Sequence, residues 1–185
     1  MEGSFSQVLE PWRDYYTLAG TAAATFMGLL FVSVSLNPRI MADDGPQGLR
    51  AWAGGTMSNL IALLILSLFC MMPDLDNRTF GTALLITGGQ GIVRGGWRLR
   101  DILRDRTRDS AWSLPTIVWR GVVPLLAYVI AIYVAFDVYN GSEGSLDLLV
   151  IVAFLLVSSG AGAAWELLKV LGNRDASDPN SPPSA

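Results

Sequence analysis

Twenty-three consecutive residues, 15–37, carry no charged side chain, and neither do the twenty-two of 51–72. A helix needs about 20 apolar residues to cross the hydrocarbon of a bilayer. Charge-free runs of that length are what lipid demands of a chain. Residues 115–136 and 148–168 come close to the pattern, broken only by Arg120 near the start of one and Glu166 near the end of the other. A fifth run has fourteen uncharged residues from Phe80 to Val93 before Arg94. If Arg94 snorkels to the surface, residues 80–97 supply about 27 Å of helix, a short but tolerable span.

The pattern predicts an all-α protein, a polytopic integral membrane helical bundle with five transmembrane helices at about 15–37, 51–72, 80–97, 115–136 and 148–168. The alternative is four spans with residues 80–96 re-entrant. Five are preferred because a snorkelling arginine costs less than non-helical backbone exposed to lipid. Residues 1–14 are then an outside leader, 15–171 the bundle, and 97–114 an Arg-rich cytoplasmic segment. The polar tail 172–185 has almost nothing to bury and is expected to be disordered.

Composition agrees. Charged residues make up 16% of the chain, against about a quarter in ordinary soluble domains, and the mean hydropathy is +0.41. In the five-span arrangement eleven of the thirteen basic residues lie on one side, leaving Arg13 and Arg78 on the other. Basic residues collect on the cytoplasmic face, so the Arg-rich segment and the C-terminus are expected there. The four-span arrangement gives the same split. The tryptophans at 12, 52, 97, 112, 119 and 165 fall near run ends, where an interfacial belt would sit. Twelve arginines against one lysine suit a GC-rich bacterial genome, and the expected location is the bacterial cytoplasmic membrane.

Small residues mark the helix faces. In the first run Gly20, Ala24 and Gly28 recur every four residues, beside Thr17, Thr21 and Thr25. Ala83, Thr87, Gly91 and Gly95 repeat the device in the third run. In lipid, helices associate through close backbone approach and hydrogen bonds, which small residues and hydroxyls permit. These rows are therefore predicted to be packing faces, either inside the bundle or between copies in a homo-oligomer. The threonine hydroxyls are expected to bond back along their own helix or across to a neighbour.

Polar residues at the cytoplasmic level form the other candidate group. Gln90, Arg94, Arg98, Arg120 and Glu166 are expected to line an inner mouth or to meet lipid headgroups, with Arg120–Glu166 as a candidate ion pair. Pro124, four residues after Arg120, is expected to kink the fourth span. Deeper in the runs lie only hydroxyls and amides, among them Ser33, Ser58, Asn59, Tyr128, Tyr133 and Ser158. Residues 97–109 interleave arginine and aspartate at helical spacing and predict a helix lying on an anionic membrane surface.

Catalytic patterns are missing. Histidine is absent, which removes the commonest neutral-pH base and metal ligand, and the single Cys70 cannot form an intramolecular disulfide. There is no nucleophile elbow or phosphate-binding loop, and Asp43-Asp44 is too sparse for a magnesium site. No cofactor, metal or catalytic residue is expected. The expected partners are the lipid bilayer and a second copy or another membrane protein, with no nucleic acid. The function anticipated is structural or regulatory, through helix–helix and cytoplasmic contacts, with a homo-oligomeric channel or permease as the alternative; an enzyme is not expected and is the weakest of the three readings.

Overall fold

The computed structural model describes residues 9–36, 47–73, 75–105, 121–142 and 144–176, with side chains at 47–52, 101–105, 163–164 and 166–176 excepted. Among these residues there is no strand. A short 3-10 turn, Glu10–Trp12, leads into α1 (Arg13–Leu36), followed by α2 (Gln47–Cys70), α3 (Asn77–Asp105), α4 (Val123–Tyr139) and α5 (Leu148–Ala176). Arg120, the leader up to residue 8, residues 106–114 of the Arg-rich segment and the tail beyond residue 176 lie outside the described residues. So does the side chain of Glu166, and with it the Arg120–Glu166 pair.

Local chemistry sets the helix ends. Asp76 accepts the Thr79 backbone N–H at 3.1 Å, satisfying one of the unpaired donors that open α3. The Thr79 hydroxyl and backbone N–H together hold the Asp76 carboxyl below the usual carboxylate range. At the other end of the α3–α4 pair, Pro124 sits in the first turn of α4. It follows a π-helical turn at 121–122, and Val122 just before α4 is already in helical conformation. The turn after α4 uses Gly141 at φ 84°, a left-handed conformation that a side chain resists. Its N–H bonds to the Val138 carbonyl at 2.9 Å and closes the helix.

α3 runs unbroken from Asn77 to Asp105. No glycine or proline between 97 and 105 interrupts it. Among the described residues two segments, Glu10–Leu36 and Ala53–Cys70, are long and apolar enough to cross a membrane; Val123–Tyr139 and Leu148–Gly162 are shorter apolar helices.

The helices pack as two antiparallel pairs, α1 with α2 and α3 with α4. α5 packs against α1, α2 and α4, while α2 and α3 touch only over a short stretch. Leu63, Leu149, Ala153, Val134 and Val138 are fully buried and close the centre with apolar side chains.

The α3–α4 contact is the most extensive, and glycine makes it so. A Cβ added at Gly81 would lie 3.0 Å from the Ala135 carbonyl oxygen, at Gly88 2.8 Å from Ile132, and at Gly95 2.8 Å from Leu125. At Gly91 it would overlap the Tyr128 ring. The series continues toward the α3–α4 connection, where Leu99 sits against Gly121. Numbers rise on one helix as they fall on the other, so this is an antiparallel seam of large side chains seated on glycines. Close approach of this kind is how helices associate where lipid replaces water.

Candidate functional site

Midway along α2, in the second half of α3 and the first half of α4, polar side chains from all three helices meet. Tyr128 of α4 donates its hydroxyl hydrogen to Asn59 Oδ1 of α2 at 3.0 Å, and both residues are buried. Arg94 of α3 donates from Nη1 to Ser58 Oγ at 3.2 Å. One turn further on, the Arg98 guanidinium lies flat on α2 at Gly55, where any Cβ would overlap it. Gly55, Ser58 and Asn59 fall at spacings of three and four, on one face of α2. They receive three polar groups from α3 and α4 and so form a clasp across a contact that is otherwise sparse.

The space enclosed among Ser58, Asn59, Arg94, Arg98 and Tyr128 is about 10 Å³, room for about one water molecule. Arg94 is exposed and Arg98 half-buried. Among the described residues no carboxylate reaches either guanidinium, and no three metal-ligating side chains come together. The clasp therefore presents N–H donors and positive charge, with neutral acceptors behind them. Changing Tyr128 to Phe should leave the Asn59 oxygen buried without its donor. The expected loss is about 1–3 kcal/mol, read as a lower thermal unfolding temperature in detergent. Tyr133→Phe, whose ring is exposed, should change nothing.

The other predicted residues divide by face. Gly20 packs on α2, where a Cβ would lie 3.0 Å from that of Ser67. Thr17, Thr21, Ala24, Thr25 and Gly28 are exposed on this single chain. The three threonines donate to the carbonyls of Arg13, Thr17 and Thr21, each at 2.8 Å, so their hydroxyls are satisfied within α1. The face of α1 that is buried carries Tyr16, Ala19, Ala23 and Leu30 instead. On α3, Gly91 and Gly95 face α4, whereas Ala83 and Thr87 line an open groove of about 480 Å³ with Phe69, Ile86 and Arg78. Gln90 is exposed.

Of the predicted polar group, the structure joins Arg94 and Arg98. It adds Gly55, Ser58, Asn59 and Tyr128, which the sequence reading left out of the site. Ser58, Asn59 and Tyr128 stood among the deeper polar residues of their runs, and Gly55 near the start of its own, with no sequence signal tying them to the arginines. No known protein family, curated protein or solved structure matches this chain.

Proposed function

We propose that this chain is a small multi-pass protein of the bacterial cytoplasmic membrane, with a structural or regulatory role carried by helix–helix contacts. One observation supports it above the rest: large apolar side chains cover the outside as well as the inside. Leu18 is 70% exposed, Leu36 76%, Ile86 68% and Phe154 65%, so several helices contribute to this apolar surface. Exposed large apolar side chains on several helices suit lipid or a partner helix and do not suit water. α4, with 17 residues, lies at the lower end of the roughly 17–25 that can span. The arginine distribution favours a cytoplasmic C-terminus.

The packed apolar centre favours this role over a channel within one chain. Thr25 and Gln90, candidate pore residues, are exposed, so a pore lined by them would need several copies. The outward side of α1, with Thr21, Ala24, Thr25 and Gly28, is then where a second copy or another membrane protein packs. The absence of histidine, and of carboxylates deep in the apolar runs, argues against an enzyme.

The experiment is fractionation followed by reconstitution. The full chain should stay in the membrane pellet at pH 11, and a cysteine placed in the tail should label only after the cytoplasm is opened. Liposomes containing the purified protein should show no flux of common ions. Release without detergent overturns the membrane assignment. Ion flux that disappears in Gln90→Leu or Thr25→Leu replaces the structural role with the channel.

A further inference from the structure

We propose that Arg94 and Arg98 form a binding site for a phosphate-type oxyanion, presented by an anionic phospholipid headgroup or free in solution. The lipid source rests on the membrane reading above; the anion chemistry rests on the cluster. Two guanidinium groups one turn apart on α3 repel each other, and like charges at this spacing destabilise a helix. The fold nevertheless holds both against α2, one bonded to Ser58 and one laid over Gly55. Each guanidinium has five N–H donors in a fixed fork, and the bond to Ser58 uses one of them. The polar groups behind are neutral, and Tyr128 and Asn59 are committed to each other. Among the described residues this pair has no acceptor with negative charge and several oxygens, which is what a phosphate offers two arginine forks.

Size selects how the anion arrives. The enclosed space of about 10 Å³ holds one water and no phosphate, so the oxyanion meets the outer edge of the exposed Arg94 and the half-buried Arg98. Trp97, 69% exposed beside them, is the side chain that marks the water–lipid boundary in membrane proteins. A headgroup at that boundary reaches both forks without entering the bundle.

The test is titration calorimetry of the full chain in a neutral maltoside detergent. The probes are dihexanoyl phosphatidylglycerol, dihexanoyl phosphatidylcholine and inorganic phosphate. Saturable binding of phosphatidylglycerol, with phosphatidylcholine and phosphate at least about tenfold weaker, supports the site with a lipid source. Inorganic phosphate binding as tightly as phosphatidylglycerol supports it with a free anion. Arg94→Gln and Arg98→Gln should each weaken binding about tenfold, and the double variant about a hundredfold. Arg78→Gln, at the far end of α3, should leave it unchanged. If the double Gln variant misfolds by circular dichroism, Arg94→Lys with Arg98→Lys decides, since lysine keeps the charge and loses the fork. Undiminished affinity in that pair overturns the proposal, as does a wild type that binds none of the probes. The titration is independent of span number, so binding by a protein that proves soluble would overturn the membrane reading and leave this site standing.

Discussion

Replacing Gly91 with leucine should lower the thermal unfolding temperature of the detergent-solubilised protein by about 6–12 °C, while the same change at Gly89 or Gly96 leaves it within about 2 °C. The estimate takes about 3 kcal/mol for forcing bulk into a packed contact and about 2–4 °C per kcal/mol for a chain of this size. At Gly91 even the first carbon of the new side chain overlaps the Tyr128 ring. Tyr128 cannot simply swing aside, because its hydroxyl is bonded to buried Asn59. Repacking α3 against α4 would therefore also open the clasp onto α2. Gly89 and Gly96 have nothing within 4 Å of an added Cβ, and leucine is the better helix former by somewhat under about 1 kcal/mol. Their substitution should be neutral or slightly stabilising. Gly88→Leu, against Ile132, belongs with Gly91. If Gly89 and Gly91 behave alike, the glycine seam does not hold α3 to α4.

The contrast between neighbouring glycines also shows what sequence could and could not reveal. Five apolar runs became five helices because their length and breaker residues left little else to form. The sequence marks small residues as packing elements in rows at a strict period of four. Each step of four turns about 40° past a full turn of helix, so such a row winds out of any one contact. Spacings that alternate three and four stay on one face, and those are the ones buried here. Tyr16, Ala19, Ala23 and Leu30 follow that rule on α1, as do Gly81, Leu84, Gly88, Gly91 and Gly95 on α3. The row from Ala83 to Gly95 begins in the groove beside α2 and ends under α4 for this reason. The clasp was half visible. Arg94 and Arg98 stood out by charge, but Asn59 and Tyr128 lie thirty-five and thirty-four positions from Arg94, and only the fold shows that they pair.

The same winding gives the row on α1 two different jobs, which Gly20→Leu and Gly28→Leu should separate. Gly20 faces α2, where Ser67 is 3% exposed and its hydroxyl has no hydrogen-bond partner. A leucine there must push α1 and α2 apart, at a cost of about 1–3 kcal/mol, and should lower the unfolding temperature whatever the oligomeric state. Gly28, two turns later, has nothing within 4 Å of an added Cβ, so leucine is harmless to a single chain. Any effect at Gly28 must come from outside it. If the outward row packs on a second copy, Gly28→Leu should weaken self-association in detergent by at least about tenfold, the equivalent of about 1.4 kcal/mol, with unfolding of the monomer unchanged. Size-exclusion chromatography with light scattering, and cross-linking in native membranes, read the two effects separately. An oligomer that persists in Gly28→Leu places the subunit contact elsewhere. A wild type that is monomeric in both assays leaves the outer row of α1 to lipid or to a different membrane protein.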